Sequence, residues 1–174
     1  MKSEEQRKNE KRQLSIPKKM VPVVWAIIVL VIMVLLPWAL SKIGPRFGWP
    51  DNWPSFWNLV GLVAVLAGLG MYAWCLVFHY QSYRTSVRLG FSPPGLVVVG
   101  PYQVSRNPMY VAGLFTWLGW VIFYGSPAVL AGFLLLWIIF TLRVIPYEER
   151  QLEELFGEDY LAYKRTVRRW FGRY

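Results

Sequence analysis

Few side chains in this sequence can hold a ligand or move a proton. The 174 residues include one histidine, His79, and one cysteine, Cys75. That excludes a disulfide framework, thiolate metal clusters and His-rich metal sites, and leaves Ser-His-Asp hydrolysis only if His79 serves. The other candidates fall into two stretches: Gly100, Tyr102, Arg106, Asn107, Pro108 and Tyr110, then Tyr147, Glu148 and Glu149. Arginine matches a carboxylate bidentately, glutamate matches an ammonium or a diol, and aromatic faces attract a cation. Brought together, these groups suit a zwitterionic, partly aromatic, water-soluble ligand.

Bringing them together is the task of apolar helices. The composition is 55 % hydrophobic, with ten Trp, ten Tyr and ten Phe, well above globular usage. Residues 20–41, 57–78 and 107–142 contain no Lys, Arg, Asp or Glu. A crossing helix needs about 20 apolar residues, so the first two windows hold one crossing each and the third holds two, turned at Gly125-Ser126-Pro127. The expected fold is an all-α integral membrane protein with four transmembrane helices at about 21–40, 57–80, 108–124 and 127–145, followed by a cytosolic amphipathic helical segment. Residues 1–19 form a charged cytosolic segment and 20–174 a single membrane domain. The first apolar run exceeds the usual length of a signal-peptide core and no small-x-small site follows Leu40, so it reads as a retained helix.

Basic residues set the expected topology. Residues 1–20 hold seven, 81–106 three and the stretch from Arg143 onward seven, while the far side holds only Lys42 and Arg46. Both termini are therefore expected in the cytoplasm. The net charge of +9 belongs to these flanks and meets anionic headgroups, at about 1 kcal/mol per residue, so no nucleic-acid partner is expected. The short turn at 125–126 forces helices three and four into an antiparallel pair, which returns Glu148 and Glu149 to the membrane face that carries Arg106. S-adenosylmethionine has every group this constellation suits. A plainer reading stands beside it: Arg106 as a flanking cation, and Glu148-Glu149 as the opening of a surface helix.

Other segments read as support. Trp49, Trp53 and Trp57 suit an interfacial belt on the far side. Gly61, Ala64 and Gly68 suit close helix packing, the last two on one face. Residues 81–108, punctuated by Ser92-Pro93-Pro94-Gly95 and Gly100-Pro101, should hold turns and an extended stretch around Val97-Val98-Val99. Leu152, Leu155, Phe156, Tyr160, Tyr163, Val167 and Trp170 recur at helical spacing, which places Lys164, Arg165, Arg168 and Arg169 on anionic lipid.

Two ordered blocks resemble a family signature. Gly100-Pro101-Tyr102-x-x-x-Arg106-Asn107-Pro108-x-Tyr110-x-x-Gly113 comes first. Tyr147-Glu148-Glu149-x-x-Leu152-x-x-x-Phe156-Gly157-x-x-Tyr160-x-x-Tyr163 comes second, closed by Val167-Arg168-Arg169-Trp170. Over about residues 95–171 the chain resembles the isoprenylcysteine carboxyl methyltransferase and phospholipid methyltransferase superfamily of membrane-embedded S-adenosylmethionine-dependent enzymes. The resemblance implies a cytosol-facing cofactor site with a lipid-facing portal for an amphiphilic acceptor. Carried over by position, Gly100, Tyr102, Arg106, Asn107, Pro108, Tyr110 and Tyr147 border the cofactor and Glu148 and Glu149 close the site. Arg106, Glu148 and Glu149 are the catalytic candidates. The family often has His where this chain has Asn107, and Asn cannot titrate near neutrality.

Methyl transfer from a sulfonium mainly requires alignment and exclusion of water. A carboxylate or thiolate acceptor needs no base, whereas an ammonium must first lose a proton to Glu148, Glu149 or His79. The acceptor stays open among prenylated cysteine, phospholipid amine, thiol or another lipophile, the choice resting on a portal formed by the first two spans. Two rivals remain. One is a sterol-reductase-like enzyme using a reduced nicotinamide, with Arg84, Arg88 and Arg106 for a 2′-phosphate. The other is a non-catalytic membrane scaffold.

Overall fold

The computed structural model describes residues 21–82 and 95–174, apart from the side chains at 21, 22, 25 and 79–82. The charged segment 1–19, Arg84, Arg88 and Ser92-Pro93-Pro94 lie outside the described residues, as does the side chain of His79. Helix α1 (Val21–Leu30) passes through a π turn (Val31–Leu35) into α2 (Leu36–Leu40); α3 is Phe56–Ser82 and α4 is Pro108–Tyr124. Helix α5 (Pro127–Ile139) likewise continues through a π turn (Phe140–Val144) into α6 (Ile145–Phe156), and α7 is Glu158–Thr166. Two of these helices are long and apolar enough to cross a bilayer, Phe56–Phe78 and Pro127–Phe156, and the apolar stretches Ala26–Leu40 and Pro108–Tyr124 are shorter. Large apolar side chains stand exposed along them, Val63, Leu66, Leu135 and Leu142 among others. Such a surface needs hydrocarbon as its solvent. The chain is a helical membrane protein.

Both π turns have a local cause. Each is followed at the second residue by a proline, Pro37 or Pro146. Proline lacks an N–H, and its ring collides with the carbonyl four residues back, so a widened turn relieves the clash. The Met33 carbonyl, which Pro37 cannot serve, accepts a hydrogen bond from Trp120 Nε1 at 2.6 Å. The first helix is thereby tied to α4.

The pair α3 and α4 is held by close approach. Gly61 and Gly68, two turns apart on α3, meet α4 backbone near Gly119 and Thr116. A Cβ on Gly119 would lie 2.6 Å from the Val65 nitrogen. Of the small residues expected to pack, Gly61 and Gly68 are thus in close contact with α4. Thr116 is fully buried and donates to the Ala112 carbonyl, so it costs the interface no unpaired group. Between α4 and α5, Gly125 takes a left-handed φ of 54° and Pro127 opens the next helix.

At the far end, Asn58 donates to the carbonyls of Phe47, Ile122 and Phe123, and Trp49 Nε1 also donates to Phe123 at 2.9 Å. Trp49 stacks on Tyr124 and carries Arg46 on its face. It is a packing wedge, unlike Trp53 and Trp57, which stand exposed as interfacial anchors do.

The amphipathic stretch is two helices and not one. Gly157, at φ 49°, breaks it into α6 and α7, and its apolar residues Tyr160, Tyr163 and Val167 pack against Leu96, Tyr102, Leu152 and Phe156. The segment 95–104, which should be non-helical, contains only a short 3-10 turn at Gly100–Gln103. Residues 167–174 then turn back as a hairpin, with a bridge between Val167 and Arg173.

Gly119→Val is expected to cost about 1–3 kcal/mol through overpacking against Val65, measured as a lower melting temperature in detergent. Gly70→Ala, where a Cβ meets nothing within 4 Å, is the control and should leave it unchanged or slightly raised. Equal melting of both variants would show that the glycine contact does not hold α3 against α4.

Candidate functional site

The site forms where three stretches of chain meet: the segment before α4, the start of α6 and the terminal hairpin. Pro108 opens α4, its fixed φ and missing N–H suiting the first helical position. Asn107 before it does not cap the helix. Its backbone N–H donates to Ser105 Oγ at 3.0 Å, and its side-chain amide donates to the Arg169 carbonyl at 3.2 Å. Ser105 Oγ in turn donates to the same carbonyl, and the Arg106 N–H donates to the Arg168 carbonyl. The hairpin is also bonded to residue 104, since the Gly172 N–H donates to the Val104 carbonyl at 2.7 Å.

This clamp delivers two cations to one buried carboxylate. Glu149 is 4 % exposed. It lies 3.2 Å from the Arg106 guanidinium and takes two hydrogen bonds from Arg169, at 2.7 and 3.3 Å. The pairing with Glu149 raises Arg169 further above the usual guanidinium range. Arg106 also donates to the Lys164 carbonyl at 3.3 Å, while its Nε is buried with no partner among the described residues. Two guanidiniums against one carboxylate leave one positive charge over.

Beside this node, Tyr110 donates to Glu148 Oε1 at 2.7 Å and its ring packs on Phe140, with centroids 4.8 Å apart. Among the described residues that is the one hydrogen bond Glu148 takes. Tyr102 is half-buried, and its carbonyl accepts from the Tyr163 hydroxyl at 2.7 Å. Burial pushes the Tyr160 and Tyr163 hydroxyls well above the usual phenol range, with Glu149 adding to the effect at Tyr160. Both stay protonated donors at any physiological pH. Gly100 adopts a φ of 62° against Phe78 of α3, where a Cβ would lie 2.6 Å from the ring. That contact seats the Gly-Pro-Tyr turn on the end of α3.

Eight of the nine residues singled out from sequence fall in the two stretches that meet here: Gly100, Tyr102, Arg106, Asn107, Pro108 and Tyr110 before and at the start of α4, and Glu148 and Glu149 on α6. Tyr147 stands apart, exposed, with its hydroxyl accepting from Gln151 on the outer face of α6. Arg169 and Lys164, expected on lipid, pair with Glu149 and Glu153. Helical periodicity places Arg169 on a charged outer face. Only the chain reversal after Thr166 turns it inward, and Gly172 at φ 97° is the one local signal of that reversal.

Removing the buried carboxylate strands a guanidinium inside the protein. Glu149→Gln should lower stability by about 3–5 kcal/mol, whereas Arg169→Gln, with a side chain 34 % exposed, should cost about 1 kcal/mol. Thermal melting in detergent checks the order, and a Glu149→Gln variant as stable as the parent would sink it.

A family model described as phospholipid methyltransferase matches residues 57–159. The chain is 32 % identical over 114 residues to a probable protein-S-isoprenylcysteine O-methyltransferase of Oryza sativa subsp. indica, covering 64 % of this chain and 59 % of that protein. It is 31 % identical over 122 residues to the protein-S-isoprenylcysteine O-methyltransferase of Xenopus laevis, covering 68 % and 42 %. With methanethiol S-methyltransferase 1 of Bradyrhizobium diazoefficiens the identity is 29 % over 123 residues, covering 61 % and 41 %. The match thus spans less than two thirds of each of these relatives. No solved structure matches the chain. The family match runs through α3, the Arg106 segment, the α4–α5 hairpin and all of α6, and on that ground the chain belongs to the phospholipid methyltransferase family.

Proposed function

We propose that this protein is an integral membrane methyltransferase that moves a methyl group from S-adenosylmethionine to a lipophilic acceptor: an isoprenylcysteine carboxylate, a phospholipid amine or a thiol. One observation carries the reading. At the junction of Arg106, Glu149 and Arg169, one positive charge is left over, and Arg106 Nε is buried without a partner among the described residues. A buried orphan donor beside excess positive charge fits a ligand carboxylate. The O- and S-methyltransferase relatives support the class of reaction.

In this reading Arg106 holds the carboxylate of the amino-acid part, and Glu148, oriented by Tyr110, takes the ammonium or the ribose diol. Gly100, Tyr102, Asn107 and Pro108 form the wall, Glu149 fixes Arg106, and Tyr147 stays at the rim. The cofactor, when bound, supplies a methyl group made electrophilic by a sulfonium. The side chains hold, orient and exclude water. Asn107 positions the hairpin and shuttles no proton, so an ammonium acceptor would pass its proton to Glu148.

The same proposal includes four crossings, α1–α2, α3, α4 and α5, with both termini cytoplasmic. The shorter apolar stretches complete the crossings that the two long helices begin, and the site then opens at the cytosolic boundary. Reporter fusions should place the C-terminus in the cytoplasm; an outside location would overturn this topology.

Calorimetric titration of the detergent-purified chain with S-adenosylhomocysteine should show saturable binding, weakened at least tenfold by Arg106→Ala. A reduced nicotinamide titrated in parallel should give none. Binding of the nicotinamide alone would favour the reductase reading, and binding of neither the scaffold.

A further inference from the structure

One polar side chain of α3 has no part in the site as described so far. Tyr72 is only 9 % exposed, yet its hydroxyl makes no hydrogen bond among the described residues. A tyrosine that buries its ring normally finds a partner for its O–H. The hydroxyl also keeps some accessible surface, unlike the enclosed unpaired atoms of Arg106, Trp117 and Ser126. A ligand atom can therefore reach it.

The register of α3 against α4 shows what this hydroxyl faces. The two helices run antiparallel: Gly61 lies against Gly119 and Phe123, and Gly68, two turns later, against Thr116 and Ala112. Each step forward along α3 is a step back along α4, so one further turn sets Tyr72 level with Tyr110. The two hydroxyls are close enough to interact electrostatically, while Tyr110 donates its hydrogen bond to Glu148. Helix α3 thus brings an unpaired hydroxyl up to the Tyr110–Glu148 pair, a turn and a half before Phe78 seats the Gly-Pro-Tyr turn.

The donors and acceptors gathered there favour one kind of ligand group. Ionised Glu148 can only accept, and Tyr110 takes up part of that capacity. Tyr72 adds an O–H that needs an acceptor. An ammonium has donors and no acceptor, so it would satisfy Glu148 and leave the Tyr72 O–H unpaired. A vicinal diol has two O–H donors for the carboxylate and oxygen lone pairs for the phenol. We infer that Tyr72 contacts the cofactor, its hydroxyl and the Glu148 carboxylate together holding the ribose diol. The inference rests on the methyltransferase reading and decides between the two groups left open for Glu148. It also makes α3 a wall of the cofactor site, beside the later helices and the hairpin.

Tyr72→Phe removes the hydroxyl and keeps the ring. Calorimetric titration of the detergent-purified chain with S-adenosylhomocysteine should show affinity about tenfold weaker in the variant, the size of one hydrogen bond. The melting temperature without ligand should not change, because the hydroxyl has no partner to lose. The 2′,3′-dideoxy analogue of S-adenosylhomocysteine should bind parent and variant equally, whereas the analogue lacking the amino group should keep the tenfold difference. A difference that the dideoxy analogue keeps, or that the deaminated analogue loses, would overturn the inference. So would parent-like affinity of Tyr72→Phe for S-adenosylhomocysteine, or a lowered melting temperature with unchanged affinity, which marks a structural hydroxyl. In each of those cases the parent still binds S-adenosylhomocysteine and the proposed function stands; a parent that binds none would overturn the proposed function and this inference with it.

Discussion

The Glu149 carboxylate, enclosed by Arg106 and Arg169, is the interaction on which the C-terminal half of the molecule depends. Removing a carboxylate from water costs several kcal/mol, and an opposite charge at hydrogen-bonding distance is what makes the burial tolerable. Two opposite charges are supplied here, from stretches 63 residues apart in the chain: Arg106 before α4 and Arg169 after α7. Everything between them must therefore close into a loop that returns to its start. The short Gly125-Ser126 turn, the antiparallel α4–α5 pair and the reversal at Gly157 are the means of closure. The backbone bonds from Ser105, Arg106 and Asn107 to the hairpin then hold it.

Direction along α6 matters as much as closure. A π turn inserts one residue into the helical repeat, and one residue rotates the remainder of the helix by about 100°. The turn at Phe140–Val144 thus sets which face of α6 carries Glu148 and Glu149, and Phe140 within it packs on Tyr110. Pro146 is the local reason for the distortion. The residue that breaks the helix is the one that aims the carboxylates, and π turns recur at functional sites for this kind of reason.

Much of this was legible in the sequence because the bilayer imposes simple rules. Charge-free windows mark the apolar helices, and Pro108, Gly125 and Pro127 mark helix ends by mechanisms independent of tertiary context. What was not legible depends on long-range pairing. The charge-free window ends at Leu142, but backbone helicity does not require uncharged side chains, so the helix continues to Phe156. Arg169 and Lys164 have the pattern of lipid-facing cations, yet Arg169 reaches Glu149 because the hairpin folds back and Lys164 reaches Glu153 because the chain reverses at Gly157. Trp49 has the composition of an interfacial anchor, and only the free Phe123 carbonyl at the end of α4 explains why it turns inward.

The two ends of the α3–α4 pair solve the same problem with different chemistry. Each helix end exposes backbone groups that have no partner inside the helix. At the far end they are met by neutral donors: the Asn58 amide and the Trp49 indole serve the carbonyls of Ile122 and Phe123. At the Arg106 end, serine, asparagine and main-chain donors do the tying, and ionised groups are added beside them. Charges are costly within hydrocarbon and gather where water or an opposite charge compensates them. At that end the Arg106 and Arg169 guanidiniums outnumber the Glu149 carboxylate they share, and it is on this imbalance that the proposed function draws.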